Sequence, residues 1–192
     1  MKKITEIRWH GRGGQGAKTA ALLLGDAAMS LGKFIQAFPE YGPERMGAPV
    51  QSFNRISGEP ITIHYGITEP GIVLVLDPTL IGPVDVTKGL PSDGVLIVNT
   101  HDTPKRIREM TGLKGGKVFV LDANKISKET IGREIPNTPM LGALIKATAL
   151  LDFDHTIADL EKKLTKKFAS KPEVVAGNLD AVKRAYTEVK GE

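Results

Sequence analysis

Cysteine is missing altogether from the 192 residues. The chain's own side chains therefore hold no disulfide, catalytic thiol, thiolate zinc site or iron–sulfur cluster. The histidines His10, His64, His101 and His155 are scattered, with no i, i+4 pair to place two ligands on one helix face, so no metal site is expected. Aromatics are scarce and do not interleave with the basic runs, which argues against a stacking surface for nucleic acid. No apolar run approaches the roughly 18 residues of a membrane span. The opening MKKITEIRWH has two lysines but no apolar stretch with a small-residue cleavage site behind them, so the expectation is a cytoplasmic protein with no membrane partner. Net charge is only +4, and bases mix with acids, as in TIADLEKKLTKKF, the pattern of a solvated helix face.

What is present has an α/β rhythm. ITEIRWH (4–10) alternates as a strand, and AKTAALLLGDAAMSLG carries Ala17, Ala20, Ala21, Leu24, Ala27, Ala28 and Leu31 at helical spacing, with Gly32 as the stop. KFIQAF (33–38) then reads as a second strand, and PEYGPERMGAP (39–49) is too rich in proline and glycine to be regular for long. VQSFNRI (50–56) and ITIHY (61–65) are expected to form an inserted hairpin. IVLVLD (72–77), GVLIVNT (94–100) and KVFVLDA (117–123) are apolar runs typical of strands buried on both faces. Thr103 and Pro104 should start one helix, and Thr138 and Pro139 an apolar one. The expected fold is one α/β domain over 1–192: a three-layer Rossmann-like arrangement, mostly parallel sheet, with an inserted β-hairpin and a helix-rich C-terminal third.

The first strand and helix are joined by WHGRGGQGAKTA (9–20). Gly11, Gly13 and Gly16 have the spacing of a dinucleotide turn, but the acid that would hold the ribose is missing: the second strand ends Gln36-Ala37-Phe38-Pro39. A P-loop requires lysine directly after the last glycine. Here Ala17 intervenes, which rotates Lys18 about 100° around the helix. What remains is a glycine turn whose amides and helix dipole suit an anion, with Arg12 inside it; the plainer alternative is that the glycines only permit tight packing. In an open α/β sheet the turn and the proline loop should share one rim, which sets Glu40, Tyr41, Glu44, Arg45 and Met46 beside Arg12 and Gln15. Those five residues read as a recognition surface, or as a stiff loop with its own charge network.

Together, IRWHGRGGQGAKTAA and QAFPEYGPERMGAPVQSFNRIS resemble the gamma subunit of 2-oxoacid:ferredoxin oxidoreductases, particularly the pyruvate and 2-oxoisovalerate enzymes, and NTPMLGALIKAT (137–148) is also similar to that family. The resemblance implies a docking subunit without catalytic residues of its own. It belongs to a complex that oxidatively decarboxylates a 2-oxoacid to its acyl-CoA and passes electrons to ferredoxin. Thiamine diphosphate, magnesium and [4Fe–4S] clusters would lie on partner alpha, beta and ferredoxin-like delta subunits, in keeping with a chain that has no cysteine. Coenzyme A carries phosphates, and Gly11, Arg12, Gly13, Gly14, Gln15 and Gly16 would form a cradle for them. The competing assignment makes both segments interface.

Other strand-end residues invite functional readings. His101 beside Asp102 suggests a general base but lacks a nucleophile partner; helix capping is the simpler expectation. His10 is expected to be a packed strand-end histidine rather than a ligand contact. Two further classes stay open at this level: a free-standing nucleotide- or acyl-CoA-binding protein, and an NAD-dependent enzyme, which the absent ribose acid disfavours.

Overall fold

Seven strands, among them the three apolar runs now seen as IVLV, VLIVN and KVFVL, assemble into a single sheet. The computed structural model describes residues 4–40 and 47–192. Its elements are β1 (Thr5–Arg12), α1 (Ala17–Ser30), β2 (Phe34–Glu40), β3 (Pro49–Ser57), β4 (Ile72–Val75), β5 (Val95–Asn99), α2 (Pro104–Thr111), β6 (Lys117–Leu121), α3 (Ala123–Ile131), α4 (Asn137–Thr148), α5 (Phe153–Lys167), α6 (Pro172–Glu188) and β7 (Lys190–Gly191). The strand order is β2-β3-β1-β4-β5-β6-β7. β1, β4, β5 and β6 are parallel; β3 is antiparallel to both β1 and β2, and β7 to β6. Five of the seven strands thus run the same way, and the mostly parallel α/β expectation holds.

The two faces are packed differently. On one, Ile7, Trp9, Leu74, Ile97 and Leu121 meet the alanine stripe of α1 and the apolar side of α4. Trp9 is completely buried; its indole N–H donates to Asn54 Oδ1 at 2.8 Å, and Asn54 Nδ2 donates to the Ala21 carbonyl of α1 at 2.8 Å, so the polar atoms tie sheet to helix. On the other face Val73, Val75, Leu96, Val98 and Val118 are covered by Ile107 of α2 and by Leu80 and Val86 of the stretch after β4. That cover stops at β1. The continuation of this face over β1, β3 and β2 is polar, and the non-helical segments around 63–68 and 85–88 lie against it.

The hairpin differs from the sequence expectation. β3 pairs with β2, Phe34 opposite Ser57 and Glu40 opposite Gln51, whereas 61–65 is not a strand. Both edges of β3 are already occupied by β1 and β2, leaving no ladder position for a third neighbour. The 61–65 backbone is instead held by side chains: Gln36 Nε2 donates to the Ile63 carbonyl at 2.9 Å and Arg55 Nη2 to the Tyr65 carbonyl at 2.6 Å. β2 also runs on through Pro39, which is tolerated because β2 is the edge strand. At α4 the helix begins one residue before Thr138. Pro136 occupies the cap position, and Asn137 Oδ1 accepts the Thr138 N–H at 2.7 Å. At α2 the expected Thr103 cap and Pro104 start are both present.

Candidate functional site

The glycine turn leaves the carboxyl end of β1 and enters α1 at Ala17. Gly14 and Gly16 have φ of 97° and 81°, the left-handed region where a side chain is strained. Gly16 is constrained twice, since a Cβ there would stand 2.7 Å from Asn137 Nδ2 at the start of α4. The turn closes on itself: Gln15 N–H donates to the Arg12 carbonyl at 3.0 Å, and the Arg12 N–H to Gln15 Oε1 at 2.8 Å.

Arg12 is the hub of the rim. Its Nε donates to Asp77 Oδ2 at 3.1 Å, Nη2 to Thr79 Oγ1 at 2.9 Å and Nη1 to the Gly47 carbonyl at 3.0 Å. Gln15 Nε2 donates to the same Asp77 oxygen at 2.7 Å. Burial opposes ionisation of Asp77, but the hydrogen bonds from Thr79 and Gln15 and the Arg12 charge outweigh it and hold the carboxyl below its ordinary range. The Arg12 charge is therefore matched within the rim by a 3.1 Å ion pair. The first-turn N–H groups of α1 have no intrahelical acceptor, and Gly16 brings no capping side chain. Asn137 reaches the same spot from α4, so two helix N-termini converge at Gly16.

The last residues of the proline loop, Gly47 and Ala48, are joined to this turn. Gly13 N–H donates to the Ala48 carbonyl at 3.0 Å and Gly47 N–H to the Gly13 carbonyl at 3.4 Å. Glu40 ends β2 and is exposed. Tyr41, Glu44, Arg45 and Met46 lie outside the described residues.

The remaining strand-end candidates do not converge on a catalytic centre. Asp122 caps α3 through the Lys125 N–H at 2.9 Å and meets His101 Nδ1 at 2.9 Å, with His101 almost fully exposed. Asp102 bonds with Thr100, so His101 and Asp102 turn to different partners. Asn99 braces the ends of β4 and β5 and the start of α3, donating to the Leu76 carbonyl at 2.8 Å and accepting the Ala123 N–H at 2.8 Å. Among the described residues no group of three or more His, Asp or Glu is placed to hold a metal, and no helix is long and apolar enough to cross a membrane.

His10 is buried, as expected for a packed strand-end residue. It points away from the turn and accepts a hydrogen bond from Arg8 Nε at 2.9 Å through Nε2. Burial, reinforced by the Arg8 charge, lowers its pKa to about 4. Sequence reasoning passed over Arg8, and it did not pair Asp77 with Arg12. The pair depends on β1 lying beside β4 in the sheet.

These features define a doubly wound type of α/β domain that carries a glycine turn at the N-terminus of its first helix, a rim braced by Arg12 and Asp77, and no catalytic dyad among its described residues. The chain belongs to the pyruvate ferredoxin/flavodoxin oxidoreductase family, whose pattern matches residues 6–188. A Pyrococcus furiosus protein named the common gamma subunit of pyruvate/ketoisovalerate oxidoreductases is 44% identical over 187 residues, covering 97% of this chain and 98% of the relative. The crystal structure of the pyruvate oxidoreductase subunit PORC of Thermotoga maritima superimposes with a TM-score of 0.87 at 44% identity, covering 100% of this chain and 99% of that one. The fold also recurs, at 19% identity and a TM-score of 0.77, within the 2-oxoglutarate:ferredoxin oxidoreductase of Magnetococcus marinus, solved with 2-oxoglutarate, coenzyme A and succinyl-CoA bound; there this chain corresponds to 31% of the longer one.

Proposed function

We propose that this chain is the gamma subunit of a multi-subunit 2-oxoacid:ferredoxin oxidoreductase acting on pyruvate in the cytoplasm, and that it works there as a docking and coenzyme A-contacting component. Thiamine diphosphate with magnesium belongs to the alpha and beta subunits in this reading, and [4Fe–4S] clusters to cysteine-bearing partners such as a ferredoxin-like delta subunit. A chain with no cysteine fits that division. The observation that carries the reading is the joining of the glycine turn to the end of the proline loop by backbone hydrogen bonds, Gly13 to Ala48 and Gly47 to Gly13.

In this proposal coenzyme A phosphates lie against Gly11, Arg12, Gly13, Gly14, Gln15 and Gly16. Backbone amides and the α1 dipole supply most of the attraction, and Arg12 shapes the turn while contributing a charge shared with Asp77. Glu40, Tyr41, Glu44, Arg45 and Met46 face the catalytic subunits. Reconstitution with those subunits is the test: oxidation of pyruvate should exceed that of 2-oxoisovalerate and 2-oxoglutarate, and the chain alone should be inactive. The Arg12→Ala/Lys18→Ala double variant of the assembled complex should raise the KM for coenzyme A about tenfold, with a smaller effect on pyruvate. An unchanged KM for coenzyme A removes the cradle and leaves both segments as interface.

A further inference from the structure

The polar face of β1, β3 and β2 contains a second candidate site, separate from the glycine turn. Alternation places Arg8 and His10 on this face, with Phe53 and Gln51 as their register partners on β3 and Phe38 and Glu40 next in line on β2. Together with Ile67, Thr68, Asp85 and Lys88 these residues line a cleft of about 590 Å³, within the ordinary range for a small-molecule pocket.

Arg8 is 6% exposed, and among the described residues no carboxylate stands within ion-pair distance of it. A buried guanidinium is costly without an anion in contact with it, and among the described residues Asp85 and Glu40 balance it only from a distance. Its Nε is taken by His10 and its Nη2 by the Val86 and Lys88 carbonyls, at 3.0 and 2.7 Å. Arg8 lines the cleft, and its Nη1 makes no such bond among the described residues. His10 accepts through Nε2, which puts its proton on Nδ1, and His10 too lines the cleft. Phe38 and Phe53, stacked with ring centroids 5.5 Å apart, supply a flat apolar wall.

We propose that this cleft binds a small monocarboxylate, its oxygens on Arg8 Nη1 and the His10 Nδ1–H and its carbon body on Phe38 and Phe53. A guanidinium beside a neutral N–H donor matches a carboxylate. Asp85 and Glu40 at the mouth disfavour a multiply charged phosphate. The site uses none of the glycine turn's residues, although Glu40 at its edge is also one of the five residues proposed above to face the catalytic subunits.

The test uses the full chain and NMR titration with benzoate, benzamide as its uncharged counterpart, and inorganic phosphate. Benzoate should move the amide signals of Gln51, Ile67 and Thr68 saturably, and the other two should not. Arg8→Met should weaken benzoate about tenfold or more, whereas Arg106→Met on the exposed face of α2 should not. Should Arg8→Met fail to fold, the wild-type map still decides. No saturable shift, shifts elsewhere, or equal response to benzamide overturns the proposal. So does silence toward benzoate combined with loss of assembly in Arg8→Met, which would give the site to an acidic side chain of a catalytic subunit.

Discussion

Two residues two apart on β1, Arg12 and His10, face opposite demands from their surroundings. Arg12 stays partly exposed and finds an anion in Asp77; His10 is buried in the cleft wall and stays neutral. The unfolded chain takes up a proton at His10 near pH 6.5, whereas the native chain does so only at about 4. Between those values acid favours the unfolded state, so stability should fall as pH drops from about 6.5 to about 4, by at most about 3 kcal/mol from this residue. Urea unfolding across that window should show a shallower pH slope in His10→Gln, which keeps an acceptor for Arg8; equal slopes would mean His10 titrates normally. The residue types at the rim are readable in the sequence, and so is the burial of His10. The Arg12–Asp77 pair is not, because it depends on β1 lying beside β4, a fact of topology 65 positions apart in the chain.

At the scale of elements, the parallel strands and the helices carry their own signals. IVLV is buried along its whole length, and α1 buries the alanine stripe that its spacing defines. The hairpin was harder. ITIHY alternates like a strand, but strand pairing is decided by free ladder positions, and β2 had already filled the edge of β3. Close helix contact is equally invisible in one sequence. Gly142 of α4 lies so near α6 that a Cβ would overlap the Val182 carbonyl. Gly142→Ala should therefore destabilise the chain by about 1–3 kcal/mol, despite alanine's better helix propensity. Gly58→Ala, in open space after β3, should shift the urea midpoint little. Equal midpoints for the two variants would show that α4 and α6 can part at little cost.

Across the whole molecule the sheet is unevenly clad. From β4 to β6 both faces are apolar and covered, while from β1 to β2 one face is left to non-helical chain and charged side chains. Hydrogen exchange should follow that division. Amides of β4 and β5 should exchange only on global unfolding, whereas those of 61–65, whose carbonyls are held by Gln36 and Arg55 side chains and not by a ladder, should exchange through local opening several orders of magnitude faster. Uniform protection across both regions would contradict it. Composition foretold a sheet buried in its centre, yet not this asymmetry, because a polar alternating strand reads the same whether solvent or a coil lies over it.

The bonds between Gly13 and the Gly47–Ala48 corner have one more consequence. Whatever settles against the turn also pulls on the loop. If both are occupied in an assembled enzyme, their binding energies are linked, and linkage is reciprocal: the factor by which a small anion tightens subunit association equals the factor by which association tightens the anion. A gamma chain built this way would report the filling of one surface at the other, through three hydrogen bonds that include Arg12 to Gly47.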